Sequence, residues 1–304
     1  MVIFSVTILG SSSASPTSER NPTSQLINHR EQFFLIDCGE GTQVQLRRNH
    51  IRFNRIEHIF ISHLHGDHFF GLIGLISTMH LLGRKKELHI YSPPELEEII
   101  QLQLRVSNTT LIYSLIFHST QAENPEKIME NEHLEVITLP LNHRVQTTGF
   151  IFREKLDLRR IDTDAVKKHK IPYGNFEALK SGNDYTTLEG KLIRNKKLTT
   201  DPPSIRSYVY CSDTAYCEHV IPFIQGADLL YHETTFMADK SAAAAEKFHS
   251  TTLEAGTIAK KARVKKLIIG HFSARYDELQ PLLDETKTIF HETNLAEEGM
   301  TFEV

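Results

Sequence analysis

The sequence predicts an α/β fold, strand-rich with interspersed helices, arranged around a metal site. Two observations carry that reading. Short apolar runs of strand length recur along the chain, and several end directly on imidazole or carboxylate groups. Between and after them lie segments of helical composition. The first run, Ile3–Leu9, is short and lacks a basic leader, so it reads as a first β-strand rather than a signal peptide. Phe33–Ile36, Ile59–Ile61 and Leu88–Tyr91 are the next strand-like runs. Pro94–Leu104 has helical periodicity in Glu, Gln and Leu. Ser241–Lys261, rich in Ala, Glu and Lys, reads as helix interrupted around His249-Ser250-Thr251.

The metal reading starts at Ser62-His63-Leu64-His65-Gly66-Asp67-His68, directly after Ile59-Phe60-Ile61. Three imidazoles and one carboxylate fall within six consecutive positions. That mixture suits zinc and similar borderline metals. A strand ending here and turning through Gly66 would hold the four groups at one mouth of a sheet. His63 and His65 could then serve one ion, and Asp67 and His68 a second. Three later runs repeat the pattern: Leu134–Leu139 leads to His143, Tyr208–Cys211 to Asp213, and Leu267–Gly270 to His271. Open α/β sheets bind ligands outside the carboxyl ends of their strands, so these three are candidates to converge on the cluster. Singly, His143 or His271 is an ordinary strand-end histidine. Jointly with Asp213 they supply the missing positions of a two-metal site.

Composition narrows the class. The chain has 304 residues, with 40% hydrophobic and 24% charged residues, as expected of a globular domain. Three cysteines without zinc-site spacing favour free thiols in a reducing compartment. No apolar stretch is long enough to span a membrane. The formal net charge is −4, from 34 Lys and Arg against 38 Asp and Glu, but it is unevenly spread. Residues 153–197 carry 12 basic against 7 acidic side chains, leaving 22 against 31 elsewhere. Pro, Gly and mixed charge interrupt the apolar pattern in this segment, as in a loop or projecting hairpin. Taken alone it is a solvated surface insertion.

Ordered motifs give a resemblance. His63–His68 is the HxHxDH signature of the metallo-β-lactamase superfamily. Within it the chain resembles the ribonuclease Z family, the endonucleases that mature tRNA 3′ ends. Ser62–Leu72 looks like that family's SHLHGDH motif, Asp37–Gln43 like its first motif, and His232-Glu233-Thr234-Thr235 like its HEAT motif. His249-Ser250-Thr251 reproduces its HST motif, and His271–Tyr276 is similar to its last metal motif. Pro16–Asn21 resembles its PxKxRN loop, with Ser18 where the pattern places a phosphate-contacting Lys. Ser212-Asp213-Thr214 replaces the usual Gly-Asp-Thr.

The resemblance implies an αββα sandwich, two mixed β-sheets flanked by helices, formed by residues 1–304 as one domain with an inserted flexible arm. It implies two Zn²⁺ per subunit, or Mn²⁺ in their place. His63, His65 and His143 would bind the first ion, Asp67, His68 and His271 the second, and Asp213 both. Asp67, His249 and Glu233 take the catalytic roles, with His249 the acid for the departing 3′-oxygen, Glu233 orienting it, and Asp67 assisting proton removal. Asp37 orients a ligand histidine, or is a strand-end turn residue. Residues 153–197 fall where the family carries its tRNA-binding exosite, although Asn175 stands where a second proline is expected. The implied protein is a cytoplasmic homodimer acting on precursor tRNA, with no membrane partner. A related hydrolase of small phosphodiesters would share every ligand but need neither the arm nor the His249 motif.

Overall fold

The computed structural model describes residues 2–120 and 123–304. Among these, two seven-stranded sheets dominate. The first runs edge to edge through Thr301–Glu303, Phe4–Gly10, Ser24–His29, Gln32–Ile36, Ile56–Phe60, Leu88–Ser92 and Leu115–Ser119. Its first four strands pair antiparallel, and each remaining pair is parallel. The second runs through Thr293–Leu295, Lys266–Gly270, Leu229–Glu233, Ser207–Cys211, Thr147–Glu154, Leu134–Leu141 and Lys127–Glu130. Its first four strands are parallel.

Period-two alternation decides which face each side chain takes. On Gln32–Ile36, Phe33 and Leu35 join a cluster with Leu46, Leu72, Leu75 and Leu96 from the helices Thr42–Arg48, Leu72–Leu81 and Glu95–Val106. Phe34 between them meets Phe152 of the second sheet edge-on, with ring centroids 5.9 Å apart. Phe60 does the same with Phe150 and Phe152, at 5.4 and 5.3 Å. The sheets therefore pack face to face through aromatic rings, and helices cover the first sheet's outer side. Thr252–Lys261 and Gln280–Lys287 cover the second sheet. This is the αββα sandwich. Each fully buried Phe or Leu in it contributes about 1.5–3 kcal/mol of burial.

One helix departs from the sequence expectation, and the expected interruption around His249-Ser250-Thr251 is present. Leu72–Leu81 is a helix that the periodicity does not disclose. Its sequence, Leu-Ile-Gly-Leu-Ile-Ser-Thr-Met-His-Leu, is apolar nearly all round, so no polar stripe marks a 3.6-residue period. Ser241–Lys261 splits into Ser241–Lys247 and Thr252–Lys261. The first piece stops at Phe248, whose φ is 58°. The second starts at Thr251, whose hydroxyl accepts from the Glu254 backbone N–H while the Glu254 side chain accepts from the Thr251 N–H, a capping box. His249 is left in the break between them.

Clustering of contacts separates a second compact unit, residues 130–135 and 153–206. It is not a simple loop or hairpin. It holds two short antiparallel ladders, Arg160–Ile161 with Thr199–Thr200 and Tyr185–Thr186 with Leu192–Ile193, and the helices Thr163–Lys168 and Phe176–Lys180. Val166, Ile171, Leu179, Ile193 and Leu198 form its small core. These apolar positions are spaced irregularly among charges, so the sequence shows no period. Asn195 replaces missing ladder bonds, its amide donating to the carbonyls of Leu179 and Asn183 at 2.8 Å each. Arg206 forks onto Glu154 at 2.9 and 2.6 Å. Among the described residues, no helix is long and apolar enough to cross a membrane.

Candidate metal centre

Six strands deliver the site from their carboxyl ends. Asp37 follows Gln32–Ile36, Ser62 and His63 follow Ile56–Phe60, and His143 follows Leu134–Leu141. Asp213 follows Ser207–Cys211, Glu233 ends Leu229–Glu233, and His271 follows Lys266–Gly270. Three of these side chains are aimed by the same device. Asp37, Asp213 and His271 have φ of 54°, 59° and 58°, the left-handed region. For a residue with a Cβ this conformation costs about 1–3 kcal/mol, and it persists where surrounding contacts enforce it. Asp213 itself makes the turn, and Ser212 is not among the positive-φ residues. The glycine of the usual Gly-Asp-Thr is therefore not required here by backbone angle.

The seven sequence-nominated ligands all come together. The inward-facing atoms of His63, His65, His143 and Asp213 lie within 4.8 Å of one another, as do those of Asp67, His68 and His271. Asp213 faces both groups. Its Oδ2 is 3.5 Å from His63 Nε2 and 3.7 Å from His143 Nε2. Its Oδ1 is 3.2 Å from His68 Nε2 and 3.0 Å from His271 Nε2. Asp67 Oδ2 lies 3.5 and 3.6 Å from the same two Nε2 atoms and accepts from the Ala14 N–H at 2.9 Å.

The outer nitrogens are held from behind. His68 Nδ1 meets Asp37 Oδ2 at 2.7 Å, His271 Nδ1 meets Thr235 Oγ1 at 2.9 Å, and His143 Nδ1 meets the Phe248 carbonyl at 2.9 Å. His63 Nδ1 lies 3.1 Å from Ser62 Oγ. Asp37 is itself fixed by the Ser62 N–H and hydroxyl at 2.7 and 2.9 Å and by the Tyr210 hydroxyl at 2.6 Å. Such partners orient imidazole ligands and fix their tautomer.

The donor set fits divalent ions. His68 Nε2 and His271 Nε2 are buried and lack hydrogen-bond geometry to any partner among the described residues. A buried polar atom of this kind is costly unless it binds something. Burial pulls both imidazoles toward neutrality, yet Asp213 and Asp67 outweigh it and hold both pKa values above the ordinary range. Buried Asp213 and half-buried Asp67 are thus drawing positive charge into the cluster, the charge a metal supplies.

A second pair lies beside it. His249 Nδ1 is 2.8 Å from Glu233 Oε1, and the His249 ring centroid is 5.1 Å from that of His143 and 5.4 Å from that of His271. Glu233 is buried and saturated, accepting also from the Thr214 N–H at 2.7 Å and the Thr235 hydroxyl at 2.6 Å. Burial lowers the His249 pKa, but the Glu233 carboxylate more than offsets it, so the net shift is upward. His232 turns away, its Nδ1 meeting the Glu233 carbonyl at 2.8 Å.

A cavity of about 540 Å³ opens onto His65, Asp67, His143, Asp213, His249 and His271. Its lining includes three residues that the sequence reading did not nominate: Phe70, Arg144 and Lys247. Arg144 Nη2 lies 3.4 Å from His65 Nε2, and its adjacency to His143 was the available signal. Lys247 looks like any lysine of an Ala-rich helix, and Phe70 like half of a core pair. In the Pro16–Asn21 loop, Arg20 donates to the Tyr276 carbonyl at 2.8 Å and Asn21 to Glu298 at 2.8 Å. Ser18 is exposed.

The fold and the site together define a hydrolase of the metallo-β-lactamase class. A family model described as Anti-Pycsar protein Apyc1 matches residues 4–168, which takes in His63–His68 and His143 and ends before Asp213, Glu233, His249 and His271. Full-length relatives are more specific. Ribonuclease Z of Bacteroides thetaiotaomicron is 47% identical over 297 residues, 98% of this chain and 94% of that one. Ribonuclease Z of Porphyromonas gingivalis is 43% identical over the whole of both chains. The crystal structure of human tRNase Z, short form (ELAC1), superposes with a TM-score of 0.73 at 28% identity, covering 99% of each chain. The metallo-β-lactamase fold protein YhfI from Bacillus subtilis gives 0.70 at 22%, covering 99% of this chain and all of that one, which speaks to the fold. The chain belongs to the ribonuclease Z family.

Proposed function

We propose that this protein is a zinc-dependent endoribonuclease that removes the 3′ trailer from precursor tRNA, leaving a 3′-hydroxyl on the tRNA and a 5′-phosphate on the trailer. One observation carries the reading. In a chain of this family, the two oxygens of Asp213 face separate ligand groups, with His249, held by buried Glu233, on the same cavity. His63, His65 and His143 would hold one Zn²⁺, Asp67, His68 and His271 the other, and Asp213 both. Mostly imidazole ligation supports zinc, with Mn²⁺ the alternative. When bound, such a pair lowers the pKa of a shared water and neutralises charge on the reacting phosphate.

The chain's own groups do the rest. Asp67 is placed to take a proton from the attacking water as well as to bind metal. His249 has Nδ1 committed to Glu233, so its Nε2 proton is the one available to the departing oxygen. As the P–O3′ bond breaks, that oxygen takes the proton and its electron pair stays with it. Glu233 keeps His249 charged and aimed. Arg144 and Lys247 place positive charge at the cavity, suited to neighbouring phosphates.

Residues 153–197 act in this reading as the tRNA-binding arm of the single 1–304 domain. Their surplus of cations supports phosphate contacts, which give affinity with little sequence information. That suits many tRNAs of one shape. The family resemblance supports a homodimer. Free cysteines and the absence of a spanning helix among the described residues support a cytoplasmic setting. The deciding experiment incubates the purified protein with precursor tRNA carrying a trailer, with and without chelator, and maps the product ends. One chelator-sensitive cut after the discriminator base is expected. No cut, with turnover of small phosphodiesters, would replace this reading with a small-diester hydrolase.

A further inference from the structure

Phe69 and Phe70 are adjacent but opposite in fate. Phe69 is 8% exposed and belongs to the helix-side core, whereas Phe70 is 65% exposed. An aromatic ring left in water forfeits most of its burial energy. Phe70 lines the same cavity as His65, Asp67, His143 and His249.

Its backbone and one side of its ring are fixed. The Phe70 N–H donates to the Gly66 carbonyl at 2.9 Å, closing a helical turn. A Cβ built on Gly66 would overlap the Phe70 ring, so the ring rests against the bare Gly66 backbone. The Phe69 ring stands edge-on at 5.0 Å and 68°. Gly71 pins the chain just beyond, its N–H donating to the Cys38 carbonyl at 2.9 Å. A ring with one side seated and most of its surface exposed in a catalytic cavity is a preorganised stacking surface.

We propose that Phe70 is a specificity residue that stacks on an unpaired nucleobase next to the scissile phosphate. The inference rests on the functional reading above. Every base has a π-face, so the platform tolerates sequence while requiring that the base be free of a duplex stack. It therefore selects for single-strandedness at the cut, which the metal cluster alone does not.

The test uses single-turnover kcat/KM with precursor tRNA. Each nucleotide flanking the cut is replaced in turn by an abasic residue, and each substrate is given to the parent and to Phe70→Ala. At one flanking position the abasic change and Phe70→Ala each lower kcat/KM by about 5- to 150-fold, and the combination adds nothing further. Phe70→Tyr, which keeps the ring, restores the parent value. Metal content and melting temperature report whether Phe70→Ala folds, and Phe70→Leu takes its place if it does not. Independent, multiplying losses at both positions, or a Phe70→Ala rate equal to the parent's, overturn the platform alone. A parent that cleaves no precursor tRNA overturns the functional reading on which it stands.

Discussion

The metal cluster and the 130–135/153–206 unit are built on opposite principles. The cluster is built around buried His63, His68, Asp213 and His271, and four of its five imidazoles are held at Nδ1 by a hydroxyl, carboxylate or carbonyl outside the ligand set. Three residues near or in it accept left-handed backbone to aim their side chains. The unit has a five-residue core, ladders of two residues, and aromatic and apolar groups left outside, with Tyr173 84% exposed. Bond cleavage needs atoms fixed to a fraction of an ångström, so strain and buried charge are tolerated there. In the proposed role the unit meets a nucleic-acid surface, which needs displayed cations and little else that is rigid.

Substitutions sharpen that contrast, beginning with the largest effect. His65→Ala removes one ligand from a cluster whose members depend on shared charge, so metal and cleavage are lost together, read by elemental analysis beside single-turnover kinetics. Excising the unit between the paired residues Arg160 and Thr200 abolishes processing of precursor tRNA but retains turnover of a small phosphodiester. Unchanged tRNA processing in that deletion removes the arm from the account. His249→Ala keeps both ions and slows cleavage by roughly 10²-fold or more. Equal metal loss in His65→Ala and His249→Ala would make His249 a ligand instead of an acid.

Smaller effects probe the support behind the ligands. Asp37→Asn leaves every ligand in place but loosens His68, and should weaken metal affinity by about 10–100-fold in a chelator competition. Glu233→Gln shows in the pH profile. The carboxylate raises the His249 pKa, so the acid form is present at low pH and lost as pH climbs through the raised value. Removing the carboxylate lowers that pKa, and the alkaline limb of the cleavage rate moves to lower pH. Thr251→Ala, which breaks only the helix cap, should cost about 1 kcal/mol of stability in denaturant unfolding without altering metal content.

The two regions also differed in how much the sequence disclosed. Ligand chemistry is carried by residue type and spacing, so His63, His65, Asp67 and His68 are legible as candidate ligands from one heptapeptide. His143, Asp213 and His271 were legible as the ends of apolar runs that the sheets then bring together. The left-handed turns at Asp37, Asp213 and His271 were not, because none of them is a glycine and nothing local demands the angle. Leu72–Leu81 is not legible because apolar residues lie on nearly all sides of it, although only the Leu72, Leu75, Ile76 and Met79 face is buried. In the second unit the core residues are scattered through the sequence without a period, and only its fold makes Val166, Ile171, Leu179, Ile193 and Leu198 neighbours.

The cluster is expected to hold a pair of ions that share Asp213. Metal-to-protein stoichiometry, measured by mass spectrometry of elements on catalytically active protein and on Asp213→Ala, tests this most directly. Two transition-metal equivalents per chain in the active protein, falling together in the variant, is the expected result. Full activity with no bound transition metal would contradict it.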